Sequence, residues 1–386
     1  MRTLNFVIFF SIVLAIYGSV NYYIFIRGWQ SLPAGSTLRS IYLPLFLFVA
    51  LSYMAGRILE NVWLSKLSDV LVWIGSFWLA AMIYFLLIII ILDILRLMNL
   101  IFPISPEFIK ANYSETKRII SLVSFIVVVI IVFAGYINAL NPKISKLNLD
   151  VNKAANGRPS LNIVFASDIH LGTIVGRQRF DRIVDKINVL KPDIVLLPGD
   201  IVDEDLKPVI RENIGESLRK LKAPLGVYAS TGNHEHIGGV EEAYKYLTEH
   251  DIVVLRDSVI MVNNEFYLIG REDRDARRFS GRGRKTLEEL MTGIDKEHPI
   301  ILMDHQPFKL EEASSSRIDL QISGHTHNGQ LWPFNYLTDA IYEVSRGYKK
   351  KGDTHFYVSS GVGTWGPPVR TGNRPEIVNI RLNFTG

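Results

Sequence analysis

The sequence predicts a bundle of four transmembrane helices over residues 1–140, then an α/β domain of sheets and flanking helices over residues 141–386. Three observations carry this. Four nearly charge-free apolar runs come first, each of about 20 residues, the length a helix needs to cross the hydrocarbon core. Short apolar runs then alternate with amphipathic stretches, the pattern of strands and helices packed in layers. Five of those strand-like runs end in oxygen- or imidazole-bearing side chains: Asp168-Ile169-His170, Gly199-Asp200, Gly232-Asn233-His234-Glu235, His305, and Gly324-His325-Thr326-His327.

The apolar runs are Leu4–Ile26, Ile41–Leu59, Val70–Leu92 and Ile119–Ile137. They account for a positive mean hydropathy of +0.19 in a chain that is 48% hydrophobic. Pro44 lies close to the start of the second run, where a helix tolerates it. Trp29, Trp63 and Trp73 lie near run ends, at the depth of the headgroups. Arg2 gives the first run a minimal basic start, but no small-residue cleavage site follows. With four spans the basic residues divide about evenly between the two sides, so the positive-inside rule gives no orientation. Asp93 and Arg96 share a helical face at the end of the third run and read as an interfacial anchor.

From Asn138 to Ser160 the chain reads as a linker with one edge strand, Leu147, Leu149 and Val151 alternating with polar residues. Asn162–Ser167 is a strand, and Arg177–Leu190 an amphipathic helix with Phe180, Ile183, Val184, Ile187 and Leu190 on one stripe. Asp193–Leu197 and Gly226–Ser230 are strands, with helices expected over Leu206–Leu221 and Val240–His250. Strands follow at Ile252–Leu255, Val259–Val262 and Phe266–Ile269, the last two joined through Asn263-Asn264 as a hairpin. Pro299–Met303, Leu320–Ser323, Phe356–Ser359 and Ile377–Leu382 supply the rest.

The chain has no cysteine, which excludes disulfides, thiolate metal sites and cysteine nucleophiles. A net charge of +4 is too small to argue for nucleic acid, and no nucleic-acid partner is expected. Five of nine histidines fall within the motif stretches. Hard oxygen and imidazole donors brought from separate strand ends suit a two-metal hydrolytic site.

These five blocks, in this order, resemble the calcineurin-like metallophosphoesterase superfamily, in particular its membrane-associated bacterial branch of phosphodiesterases and lipid-precursor pyrophosphatases. The resemblance covers roughly Asn141 to Gly386. It implies a four-layer α/β/β/α sandwich and an enzyme, a metal-dependent phosphoesterase. It also implies that Asp168, His170 and His327 hold one divalent cation, that Asn233, His305 and His325 hold a second, and that Asp200 bridges them. The mixed donors suit manganese, iron or zinc better than magnesium. Hydrolysis by metal-activated hydroxide follows, with His234 as the catalytic residue that donates toward the phosphate or leaving group, and Asn233 and His234 contacting substrate. Asp203 and Glu235 are candidates to orient ligand imidazoles or, equally, to cap and solvate. His236, His250, His298 and His355 read as structural.

Two features bear on substrate. The stretch with Arg271, Arg274, Arg277, Arg278, Arg282, Arg284 and Lys285 is a basic loop that could grip an anionic headgroup or simply be solvated. The glycine-rich loop from Gly361 leads to Arg370, which could bind a phosphate or make a structural pair. The expected function is a multi-pass phosphohydrolase of a bacterial plasma or inner membrane, its partners the lipid bilayer and a phosphorylated substrate. That substrate is expected to be a phosphodiester or pyrophosphate, plausibly lipid-linked. The alternatives are a soluble nucleotide or cell-wall phosphopolymer as substrate, and a non-catalytic metal-binding sensor or scaffold.

Overall fold

The computed structural model describes residues 2–103, 105–281 and 283–386, so Arg282 of the basic loop lies outside the described residues. The chain forms two compact units, one up to Gly135 and one from Tyr136 onward.

The first unit is helical. Its long helices are Arg2–Ser31, Thr37–Val62, Lys66–Ile101 and Tyr113–Ala139, and Phe10–Ser31 of the first and the whole of the other three are long and apolar enough to cross a membrane. Each expected span falls inside one of them, and the helices run several residues beyond the apolar runs. Pro44 sits within the second helix. Asp93 does more than anchor its own helix. Its carboxylate accepts from Arg96 one turn on and also from Tyr23 and Arg27 of the first helix, fastening the two together.

Among the described residues the second unit has twelve strands: β1 (Lys143–Val151), β2 (Ser160–Phe165), β3 (Ile194–Pro198), β4 (Val227–Ser230), β5 (Val253–Val254), β6 (Ser258–Val262), β7 (Phe266–Gly270), β8 (Ile300–Met303), β9 (Leu320–Ser323), β10 (Gly347–Lys351), β11 (Thr354–Val358) and β12 (Glu376–Phe384). They make two six-stranded sheets, ordered β1-β12-β2-β3-β4-β5 and β10-β11-β9-β8-β7-β6. Strands β2 to β5 run parallel, as do β7, β8, β9 and β11.

One buried cluster joins the sheets face to face, with Ile163, Phe165 and Leu196 of the first meeting Leu268, Met303 and Ile322 of the second. A second cluster packs the helices Leu287–Met291 and Leu310–Ser315 on the outer face of the second sheet, through Leu287, Leu290 and Leu310 against Ile300 and Leu302. Helices Arg177–Val189 and Val240–Glu249 bury their apolar stripes on the first-sheet half of the unit. The architecture is therefore helix, sheet, sheet, helix.

The β6–β7 hairpin turns through Asn263 and Asn264 with both φ values positive (50° and 57°), the requirement of a tight hairpin turn. The helix expected over Leu206–Leu221 is two short pieces, Lys207–Arg211 and Gly215–Leu218. Edge strand β10, Gly-Tyr-Lys-Lys-Lys, has no apolar alternation to announce it, and lysines are common on exposed sheet edges.

Candidate metal centre

Every motif stretch follows a parallel strand at its carboxyl end. Asp168 comes three residues after β2, Asp200 two after β3, Asn233 three after β4, His305 two after β8, and His325 two after β9. Ligands gather at such strand ends because the backbone leaves the sheet there and side chains from neighbouring strands converge. Backbone hydrogen bonds hold the turns in step: Asp168 N to Gly199 O at 3.2 Å, His170 N to Asp200 O at 3.0 Å, and Gly324 N to His305 O at 2.9 Å.

The turns are strained. Asp168, His170, Asp200, His325 and His327 all have φ between +45° and +71°, a region that costs a non-glycine residue roughly 1–3 kcal/mol. Such strain persists when the surroundings over-determine it. Two glycines contribute by absence: a Cβ on Gly232 would sit 2.2 Å from Asp200 Oδ1, and one on Gly324 would sit 2.2 Å from Asp168 Oδ2. Their role is close approach to the carboxylates.

Among the described residues three groups of side chains could hold a cation, one of them His170, Asp203 and His234, and the other two fall on the expected ligands. The candidate donor atoms of Asp168, His170 and His327 lie within 4.8 Å of one another, as do those of Asp200, His305 and His325. In the first group His170 Nε2 is 2.9 Å from His327 Nε2, which is 3.5 Å from Asp168 Oδ1. In the second His305 Nε2 is 3.1 Å from Asp200 Oδ2. Asn233 Oδ1 completes this group, 3.2 Å from His305 Nε2 and 2.9 Å from His325 Nδ1. Asp200 links the two. Its Oδ1 accepts from the backbone of His234 at 2.9 Å, while Oδ2 faces His305 and lies 3.9 Å from His170 Nε2.

Two oxygen-and-imidazole clusters around one shared carboxylate fit a pair of divalent cations, with no thiolate to favour a softer metal. Burial, aided in one case by His305 and in the other by His170, pushes His325 down to about 3 and His327 well below the usual histidine range. Both are neutral imidazoles, the form a metal binds. Burial opposes the charge on Asp200, but His305 and His234 outweigh it and hold its carboxyl well below the usual range.

His234 lies beside the first group, its ring centroid 4.5 Å from that of His170. Asp203 Oδ1 is 3.2 Å from His234 Nδ1 and 3.6 Å from His170 Nδ1, so one carboxylate faces both rings. Burial works to lower His234, yet the carboxylates of Asp200, Asp203 and Glu204 push it up to about 9.

Arg370 and Glu235 each take the structural one of the two roles open to them. Arg370 does not reach outward to a phosphate: it is fully buried and all five of its N–H groups are taken. They go to Gly363 O twice, Ser360 O, Asn373 Oδ1 and His327 Nδ1, the last at 3.0 Å, which places Arg370 behind a candidate ligand histidine. Glu235 touches no imidazole. Its carboxylate accepts from the backbones of Asp200, Ile201, Val202 and Gly232, tying two ligand turns together.

The basic loop is also more committed than a free grip. Arg271 and Arg284 both donate to Asp304, next to the ligand His305, and Arg274 stacks over Phe308 at 4.9 Å. Sequence reasoning passes over Asn373, which holds the carbonyls of His327 and Asn328 and accepts from Arg370. No motif or periodicity marks it. His236, His250 and His355 are held by Glu272, Tyr246 O and Asp150 O, away from both ligand groups.

The calcineurin-like phosphoesterase family model matches residues 161–329, a span containing all five ligand stretches. A zebrafish transmembrane protein with a metallophosphoesterase domain is 34% identical over 72% of this chain, which spans 65% of that protein's length. A putative metallophosphoesterase of Caenorhabditis elegans is 31% identical over 88% of this chain and 73% of its own. An uncharacterized metallophosphoesterase of Campylobacter jejuni is 28% identical over 98% of both chains. This chain belongs to the calcineurin-like metallophosphoesterases. Four candidate membrane helices, together with a relative named a transmembrane protein, support a membrane location.

Proposed function

We propose that the protein is a membrane-anchored dinuclear-metal phosphohydrolase that cleaves a phosphodiester or pyrophosphate bond, with residues 1–140 as its anchor and residues 141–386 as its catalytic domain. The single observation that carries this reading is Asp200 Oδ2, directed between two complete ligand groups. Asp168, His170 and His327 would hold one cation and Asn233, His305 and His325 the other, with Asp200 common to both. Manganese, iron and zinc all suit these donors. When bound, the cations acidify a water for attack and neutralise charge on the phosphoryl oxygens.

The chain's own groups do the rest. With Asp203 Oδ1 3.2 Å from Nδ1 of His234, Nε2 of that ring would be the proton donor toward the leaving oxygen. The carboxylate of Asp203 beside the ring favours its protonated form. Asn233 and His234 are the candidate substrate contacts. A lipid-linked substrate is favoured because the catalytic domain is continuous with membrane helices.

The test incubates detergent-purified protein with manganese against extracted membrane lipids, nucleotide-linked lipid precursors and soluble nucleotides, and follows products by mass. Release of a phosphorylated headgroup or cleaved pyrophosphate from a lipid supports the reading. Turnover of soluble nucleotides alone removes the lipid-linked part, and no turnover with manganese, iron or zinc favours a binding role instead.

A further inference from the structure

Directly after the ligand stretch ending at His327, the chain enters a segment whose apolar side chains face out. The helix Phe334–Ile341 buries none of its residues. Phe334, Leu337 and Ile341 recur at helical spacing, and with Trp332, Tyr336 and, from the glycine-rich loop, Trp365 they are between 42% and 65% exposed. The polar side of the helix is the side fastened to the domain: Asp339 accepts from Asn328 Nδ2 at 3.3 Å and from Ser345. An amphipathic helix normally packs the other way, apolar face inward. Six large side chains, four of them aromatic, form a patch of the sort that soluble surfaces seldom leave uncovered.

The patch is fixed to the stretch that Asn138, near the start of the second unit, also binds. Trp332 N donates to Thr371 Oγ1 at 3.0 Å, and Gln330 binds the Trp365 backbone from both sides of its amide. Asn138, in the final turn of Tyr113–Ala139, donates to Arg370 O and Asn373 O, both at 2.8 Å. Arg346 and Lys350 are exposed a few residues beyond the helix. Tryptophan and tyrosine with flanking cations are the residues that settle at a lipid–water interface.

We propose that the face formed by Trp332, Phe334–Ile341 and Trp365 docks into the surface of the bilayer that the chain's own helices span, so that the metal centre opens beside the headgroups. Its consequence for substrate, delivery of a lipid-borne phosphoester from the membrane plane, rests on the function proposed above.

The absence of cysteine makes the test clean. Leu337→Cys and, as an exposed position outside the patch, Val189→Cys are each given a nitroxide in the full chain. The labelled protein is reconstituted in phosphatidylcholine–phosphatidylglycerol bilayers, and collisions with oxygen and with a water-soluble nickel chelate are compared. The label at 337 is expected to meet oxygen preferentially and to be shielded several-fold from nickel relative to the label at 189. Equal nickel access at both positions overturns the proposal. So does spin–spin broadening at 337, which would place a second copy on the patch.

In a second measurement, the double variant Leu337→Asp, Ile341→Asp should raise KM about tenfold for a long-chain phosphodiester lipid, while a short-chain soluble phosphodiester is cleaved as before. An equal change for both substrates counts against docking. Should the parent cleave neither, the proposed function fails, and the depth measurement still decides the docking.

Discussion

Replacing Glu235 by glutamine tests whether the Asp200 turn is held by its backbone. Oε1 of Glu235 accepts from Ile201 N at 2.7 Å and Val202 N at 2.8 Å, and Oε2 accepts from Asp200 N at 3.1 Å and Gly232 N at 2.8 Å. Burial and the neighbouring Asp200 push this carboxyl up. Four N–H donors nevertheless converge on its two oxygens, leaving no acceptor for a carboxylic proton. Glutamine keeps one oxygen and turns the other into an NH₂ that faces two donors. Two buried N–H groups then lose their partner at about 1–3 kcal/mol each, roughly 2–6 kcal/mol together. For a unit of this size that lowers the melting temperature by at least about 5 °C. The assay is thermal unfolding in detergent with manganese content measured in parallel, and both are expected to fall. A melting temperature within about 2 °C of the parent, with a full metal complement, refutes the reasoning.

Asp200→Asn should insert in the membrane as the parent does and lose more turnover than the roughly 10- to 100-fold typical of residues one step behind a metal. Retained hydrolysis would count against Asp200 as the shared ligand. Arg370→Ala should weaken manganese binding about 10- to 100-fold by loosening the turn behind His327, since Gly363 O, Ser360 O and Asn373 Oδ1 all lose their donor, with KM for a soluble phosphodiester unchanged. A rise in KM with metal affinity intact would restore a phosphate-binding role for Arg370. Burial alone would raise Glu272, but hydrogen bonds from His236 and Thr231 and the charge of Arg256 lower it to about 2. A depressed carboxyl contributes stability above its unfolded value near 4.5 and loses it as pH falls toward 2. Glu272→Gln should therefore cost about 2 kcal/mol at pH 7, after allowance for solvent screening, and the gap should narrow below pH 4.5 in melts taken across pH. A gap that is constant with pH contradicts this.

Most of the candidate site was legible in the sequence because each ligand stands at a strand end announced by an apolar run. The spans were legible for a similar reason, since length and absence of charge suffice to mark them. For Arg370 and Glu235 a functional and a structural role stay equally open in the sequence, because a charge seen in isolation fits either. Both are buried and serve backbone and side-chain partners distant in sequence, Glu235 reaching Asp200 and Arg370 reaching His327. The helix Phe334–Ile341 went unnoticed for the opposite reason. It is short, and its outward apolar face breaks the rule by which amphipathic helices are recognised. Strand β10 is equally silent, its lysines exposed on a sheet edge.

The central claim is that seven side chains from five strand ends gather two cations about Asp200. Anomalous diffraction from the manganese-loaded protein tests it most directly. Two peaks about 3.5–4 Å apart, with Asp200 Oδ2 between them, are the expected result. A single peak, or a pair that leaves Asp200 to one side, would contradict it.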